Sequence, residues 1–439
     1  MGASFLGWEG GQRCASAQRP SSASRSAGVG LALCVLLGAT GCSRDSTVVS
    51  SGPANVLLVT LDTVRADRLG SYGYAGASTP ALDGLAREGI RFSQAVATAP
   101  LTLPSHASIL TGLFPPRHAV HQNGAAALPP TVPTLAEALH GHGYRTAAFV
   151  GSFVLDARFG LDRGFELYDD DIPRDPTTAV PGLEAERPGT QVVDRALSWL
   201  NADDQRPFFV WVHLYDAHAP YEPPEPYRSR FADRPYDGEI ASVDAQVGRL
   251  LSYLDERGLA GDTIVAVAAD HGEALGEHGE LTHGLLLFEP TVRVPLLLRA
   301  PGRLPGGVVV GEPVGLADLA PTLAGLAGVH LGLPSSSVDG RDLSASLAAG
   351  DEPPRVDLYA ETEYPRLFGW SALAAIRRGH AKYVAAPTPR LFDLESDPGE
   401  TSNTLQAGDH RPAALAEALA SLQAEGVAAA PPVESELDA

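Results

Sequence analysis

Two short apolar runs, Asn55–Leu61 and Thr263–Ala269, constrain this chain more than any other feature. Both are rich in β-branched residues and too brief for a typical helix, so each reads as a buried strand. Each stops at a carboxylate: Asp62 in the first case, and Asp270-His271-Gly272-Glu273 in the second. Strands apolar along their whole length belong to sheets covered on both faces by helices. In such sheets ligands collect beyond the carboxyl ends of the strands. Helical stretches at Thr79–Gly89, Val132–His142 and Tyr236–Leu259 alternate with further strands at Arg145–Val150, Phe208–Val212 and Pro295–Ala300. The expected fold class is therefore α/β, a large mostly parallel sheet sandwiched by helices over residues 55–350. Beyond Gly350 the strands Ala372–Arg378, Lys382–Ala385 and Arg390–Leu394 follow one another closely and predict a small antiparallel subdomain over 351–405. A helix from about Arg411 to Glu425 and an acidic tail complete 406–439.

The first 41 residues read as a targeting segment. Arg13, Arg19 and Arg25 precede an apolar run from Ala27 to Ala39 that is too short to span a bilayer. It ends in Ala39-Thr40-Gly41-Cys42, which resembles the lipobox of bacterial lipoproteins with Ala in place of the usual Leu. Cys42 would then carry a lipid anchor, 42–54 would form a linker, and the protein would work outside the cytoplasm, periplasmic or at the cell surface. An ordinary signal peptide cut nearby is the alternative. Cys14 and Cys34 fall in the removed part, so neither a disulfide framework nor a cysteine metal site is expected. The formal charge of −21 becomes about −23 without the leader's three arginines and one glutamate. Such acidity argues against a nucleic-acid partner and requires any anionic substrate to be drawn in locally.

The segment Thr102-Leu103-Pro104-Ser105-His106 through Gly112 begins after an extended Pro100-Leu101 step, and Pro104 favours the first turn of a helix. A hydroxyl just ahead of a helix N-terminus faces unpaired backbone N–H groups, which favour an alkoxide and a bound oxyanion. The same position also suits a plain helix cap. Two histidine-bearing segments join it: Trp211 to Tyr221, with His213, Asp216 and His218, and Leu281-Thr282-His283-Gly284. Near neutral pH a histidine serves as general acid at modest cost. The Pro-rich runs Ile172–Gly189 and Pro220–Tyr227 have no periodicity and read as surface excursions near the site mouth.

Thr102 to Gly112 resembles the nucleophile motif of the sulfatases, Cys/Ser-x-Pro-Ser-Arg-x-x-x-Leu-Thr-Gly. Thr102 stands at the nucleophile position and His106 replaces the arginine. Asn55 to Asp62 is similar to that family's first strand and metal-binding Asp, with Thr63 where a second Asp is typical. Asp270-His271-Gly272 resembles its second metal motif, and His213 to Tyr221 resembles His-x-x-Asp-x-His-x-Pro-Tyr. Leu391-Phe392-Asp393-Leu394 with Asp397, Pro398 and Glu400 resembles its C-terminal signature, so the likeness runs from about Asn55 to Asn403.

That resemblance implies Asp62, Thr102, Asp270 and His271 as ligands of one divalent cation, a set similar to that of phosphonate monoester hydrolases and lipoteichoic acid synthases. Oxygen and imidazole donors suit Mn²⁺ or Zn²⁺, with Ca²⁺ or Mg²⁺ also possible. A second metal at Asp216 and His213 is a minor option. His218 and His283 would contact the transferred group or protonate the leaving oxygen, and His106 would orient Thr102 or hold an anion. The chain's single lysine, Lys382, leaves the family's lysine roles to histidine, Arg117 or Arg293, or empty. Sulfatases oxidise Cys or Ser to formylglycine, an aldehyde that threonine is not expected to yield. The implied function is hydrolysis of sulfate or phosphate mono- or diesters, on a small molecule, glycan or lipid, through Thr102 without formylglycine. A phospho-group transferase and a catalytically silent, surface-anchored binding protein are the alternatives. The oligomeric state is not set by the sequence.

Overall fold

A computed structural model describes residues 52–172, 185–333, 337–406 and 408–425. The targeting segment, Cys42, most of the linker, most of the Ile172–Gly189 run and the acidic tail lie outside the described residues. Among the described residues no helix is long and apolar enough to cross a membrane.

Among the described residues there are thirteen strands: β1 (Asn55–Leu61), β2 (Ile90–Val96), β3 (Arg145–Phe149), β4 (Leu167–Asp169), β5 (Phe208–Leu214), β6 (Thr263–Ala269), β7 (Arg293–Arg299), β8 (Val308–Val310), β9 (Val314–Gly315), β10 (Asp357–Thr362), β11 (Leu373–Arg378), β12 (Ala381–Ala385) and β13 (Arg390–Asp393). The first nine form one sheet in the order β4-β3-β5-β1-β6-β7-β2-β8, with β9 also beside β2. Pairing is parallel from β4 through β6, while β7 runs antiparallel to both β6 and β2. The expected mostly parallel sheet is thus present. Its edge is more mixed than the pattern implied, because the half-polar β2 (Ile-Arg-Phe-Ser-Gln-Ala-Val) carries no continuous apolar signal.

β5 and β6 are buried along their whole length and β1 nearly so, as strands covered on both faces must be. Helices Pro80–Glu88, Gly189–Leu200 and Pro235–Glu256 pack with one another as one group, and Thr102–Thr111, Leu135–Gly141 and Leu319–Ala327 as a second. Both groups rest on the sheet. β10 to β13 form a separate antiparallel sheet, against which the Ala413–Ala424 helix packs. That C-terminal arrangement agrees with the expected antiparallel region.

The Thr102–Thr111 helix is buried from end to end. Leu101 enters it in extended conformation, and Gly112 ends it at φ 74 with its N–H on the Ser108 carbonyl. Glycine is required there twice over: the left-handed φ disfavours a side chain, and a Cβ would lie 2.8 Å from Val338.

Candidate active site

β1 and β6 are in register at Leu61 and Ala269, so Asp62 and Asp270 leave the sheet side by side. Both carboxylates are fully buried. Immediately after Asp62 the backbone turns through Thr63 at φ 55, a strained value for a β-branched residue. Two bonds hold it: the Thr63 hydroxyl donates to the Ala217 carbonyl at 2.7 Å, and the Tyr236 hydroxyl donates to the Thr63 carbonyl at 2.7 Å. Thr63 therefore faces away from the carboxylates, toward the loop after β5.

The nucleophile-motif helix brings Thr102 onto this pair. Its Oγ1 lies 3.3 Å from Asp62 Oδ2 and 3.4 Å from His271 Nε2. His271 Nε2 is in turn 3.8 Å from Asp62 Oδ1 and 3.6 Å from Asp270 Oδ2. Thr102 is the first helical residue rather than the cap, which is Leu101 and makes no side-chain cap bond. The helix end is also less open to an anion than its sequence implied. Asn123 Oδ1 accepts the Leu103 N–H at 2.9 Å, Pro104 has none, and Ser105 N–H donates to the Leu101 carbonyl. Ser105 has a separate task, its hydroxyl donating to the Asp270 carbonyl at 2.6 Å and tying the helix to the end of β6.

Beneath these groups lies a buried polar layer. The Thr60 hydroxyl, on β1, meets Trp211 Nε1 at 2.9 Å, His106 Nε2 at 2.9 Å and His213 Nδ1 at 3.1 Å. His106 donates from Nδ1 to the Thr102 carbonyl at 2.8 Å. Burial pulls His106 down to about 3 and His213 down to about 4, so both are neutral near pH 7. The proton count then closes in one way. Trp211 donates to Thr60, the Thr60 hydrogen goes to His106 Nε2, and His213 donates to Thr60 from Nδ1. His213 Nε2 consequently turns a lone pair toward Asp62 Oδ2, 3.3 Å away.

Asp62 Oδ1, Asp270 Oδ2 and His213 Nε2 are all buried without a hydrogen-bond partner. Orphaned acceptors converging on one point are costly unless a cation lies between them. Ligand atoms of Asp62, Asp270 and His271 lie within 4.8 Å of one another. The spacing of Thr102 Oγ1 to its neighbours matches the roughly 3.4 Å between donors expected around a tetrahedral ion with bonds of about 2.0–2.1 Å. The residues present therefore fit one divalent cation. Burial holds Asp62 and Asp270 above the usual carboxylate range. It also works against His271, which its carboxylate neighbours nevertheless keep above the ordinary imidazole value.

His218 and His283 occupy the adjoining space, their rings edge to face at 5.1 Å, and His283 lies 4.5 Å from the His271 ring. His218 stacks on Tyr215 at 4.4 Å and donates from Nδ1 to the Ala219 carbonyl at 2.7 Å. His283 Nδ1 lies 3.3 Å from Oε1 of the buried Glu273. Burial holds both imidazoles below their ordinary value, His283 well below.

Other expectations are corrected. Arg117 sits beyond the far end of the Thr102–Thr111 helix, paired with Asp339 at 2.9 Å and bonded to the Ser337 carbonyl, so it does not grip substrate here. Arg293 donates to the Ser93 carbonyl at 3.1 Å, and Lys382 is buried against Glu289 and Glu400. His106, with no exposed surface and both nitrogens engaged, supports the helix and cannot hold an incoming anion. Asp216 accepts the Gly189 N–H through both oxygens at 3.0 Å and is no metal ligand. Thr60, Asn123 and Glu273 are the residues that motif reading missed; a lone threonine late in the apolar β1 run was the one available signal.

Comparison with known proteins agrees with this geometry. The Sulfatase family profile matches residues 54–329. Bovine arylsulfatase A is 30% identical over 441 residues, covering 82% of this chain and 85% of the relative. Choline-sulfatase of Rhizobium meliloti is 27% identical, covering 81% and 83%. The solved phosphonate monoester hydrolase of Agrobacterium radiobacter superposes with a TM-score of 0.70 at 24% identity, covering 85% of this chain and 96% of that one. With its sheet, its paired aspartates and its nucleophile-motif helix in the family's order, this chain belongs to the sulfatase family.

Proposed function

We propose that this protein is a metal-dependent ester hydrolase in which Thr102 is the nucleophile, acting on sulfate or phosphate mono- or diesters without formylglycine. The observation that carries the reading is the Thr102 hydroxyl, 3.3 Å from Asp62 and 3.4 Å from His271 inside a buried cluster of orphaned acceptors. Asp62, Thr102, Asp270 and His271 would hold the cation, whose positive charge lowers the hydroxyl pKa and offsets charge on the transferred group. Mn²⁺ and Zn²⁺ suit the mixed oxygen and imidazole donors best.

In the first half-reaction Thr102 Oγ1 forms a bond to sulfur or phosphorus while the bond to the leaving oxygen breaks. The hydroxyl proton has to reach that leaving oxygen. His218 and His283 rest neutral and so can accept a proton before delivering it. In the second half-reaction a water attacks the threonyl ester, an imidazole takes the water's proton, and Thr102 Oγ1 regains a hydrogen. A threonyl sulfate has no aldehyde hydrate from which sulfate can be eliminated, which favours phosphate or phosphonate esters as the faster substrates. The relatives' names span both chemistries, arylsulfatase and choline-sulfatase on one side and phosphonate monoester hydrolase on the other.

The test is turnover of aryl sulfate, aryl phosphate and bis-aryl phosphate by residues 43–439 supplied with Mn²⁺ or Zn²⁺. Thr102→Ala should lower kcat at least about 10³-fold with metal still bound, the scale of losing a nucleophile. Wild-type rates in that variant would overturn the reading. A silent binding protein would instead show stoichiometric metal and no turnover of any ester.

A further inference from the structure

Four of the seven exposed large hydrophobic side chains among the described residues, Leu281, Leu367, Phe368 and Trp370, lie on only two loops. Scattered singles need no explanation, but a cluster does. One loop is the segment that carries His283; the other is the turn after β10. They are joined at Gly284. The Thr362 hydroxyl donates to the Gly284 carbonyl at 2.5 Å, and the Tyr364 N–H donates to the Thr362 hydroxyl at 3.2 Å. Gly284 has φ 101, and a Cβ there would meet Tyr364 Cδ1 at 3.0 Å and Leu101 Cδ2 at 3.3 Å. Tyr364 therefore abuts the residue after His283 and lies close to the residue before Thr102.

From Tyr364 an aromatic ladder leads outward. The Tyr364 and Phe368 rings are 5.4 Å apart edge to face, and Phe368 and Trp370 are 6.0 Å apart. The turn is braced by Trp370 N–H donating to the Pro365 carbonyl at 3.1 Å, which fixes the backbone that carries the last ring. Its tip is open: Trp370 is 62% exposed and Leu367 65%.

We propose that this ladder is the leaving-group subsite, and that the alcohol released carries an apolar body, an aryl ring or an acyl chain. The inference rests on the hydrolase reading above and names the substrate class for it. Three observations select this occupant. The ladder starts at the two residues that flank His283 and Thr102, so a leaving group departing past His283 meets it directly. The exposed side chains Leu367, Phe368 and Trp370 offer apolar and ring surface, and the charged pair on the same turn, Arg366 and Glu363, lies 3.3 Å apart. The chain's net charge of −21 disfavours an anionic membrane surface as the occupant.

The experiment uses the metal-loaded protein and two phosphate esters that differ only in the leaving alcohol, 4-phenylphenol and methanol, together with calorimetric binding of 4-phenylphenol itself. Phe368→Ala/Trp370→Ala should lower kcat/KM for the biphenyl ester roughly tenfold, mostly through KM, and leave the methyl ester within about twofold. Binding of 4-phenylphenol should weaken by a similar factor, a readout that does not need turnover. Equal losses on both esters, or unchanged 4-phenylphenol affinity, overturn the subsite. So does a loss of self-association or vesicle binding in the variant with selectivity unchanged. Thr102→Ala is run alongside. If it is inactive while the ladder variant behaves as wild type, only the subsite fails; if it is active, the nucleophile reading fails instead.

Discussion

Asp62 and Asp270 are fully buried, and burial alone would drive each toward its neutral form. A cation reverses that preference, which is why a carboxylate pair in such a place is a binding device rather than a stability device. Three substitutions distinguish the proposed ligands from their neighbour. Asp62→Asn or His271→Ala should abolish stoichiometric Mn²⁺ or Zn²⁺ binding in competition with a chelating dye. His213→Ala, which touches Asp62 from the sheet side at 3.3 Å, should weaken it about 10–100-fold. Wild-type affinity in Asp62→Asn would remove this residue from the ligand set. At this scale the sequence was informative where a residue type has few uses, as with Asp62, Asp270 and His271 at strand ends. At Thr60 it gave only a lone polar residue in an apolar run, and it was silent at Asn123, because a loop asparagine looks the same whether or not it steers a helix.

Elements place these residues through register and helix phase. The in-register pairing of β1 with β6 puts two carboxylates together, and the pairing of β1 with β5 at Thr60 and His213 sets the polar layer under them. All three strands were legible, since a short apolar run rich in β-branched residues marks a buried strand. Which strands pair is a long-range fact that no local pattern holds, whereas β2 escaped because its half-polar sequence carries no continuous apolar run. The Pro235–Glu256 helix shows a cost of this packing. Burial, then the neighbouring Asp216 and Glu186, push the Glu239 carboxyl from 4.5 to about 8. A folded-state value raised above the unfolded one means that the folded form holds its proton more tightly. That contribution is complete below the ordinary carboxylate value and is lost as pH rises through about 8. Wild-type Tm should therefore fall between about pH 5 and pH 8, the interval between the unfolded and folded values. Glu239→Gln should flatten the fall, and parallel profiles would show that Glu239 is ionised throughout.

Across the whole molecule two sheets are joined by a buried ionic knot. Lys382 on β12 reaches Glu289, just before β7, at 3.0 Å and Glu400 at 2.8 Å, and Arg377 on β11 reaches Glu289 at 3.3 Å. Removing the lysine leaves buried Glu400 with no cationic partner and Glu289 with Arg377 alone. Lys382→Met should thus destabilise the protein by about 3 kcal/mol or more in urea unfolding, beyond what a surface pair would show. A change under about 1 kcal/mol would mean that water reaches the glutamates. The C-terminal signature around Asp393 and Glu400 was readable as a motif, yet its part in this knot was not, because Glu289 lies 111 residues from Glu400 and no local pattern shows the chain folding Lys382 back onto it.

The same lysine has a practical consequence. It is the chain's single lysine and is 3% exposed, so the folded surface presents no side-chain amine among its described residues. An amine-reactive dye can reach Lys382 only when the small sheet lifts from its neighbour. The rate at which that one position becomes labelled is then a clock for the sheet's opening, read under native conditions and at a single, sequence-defined position.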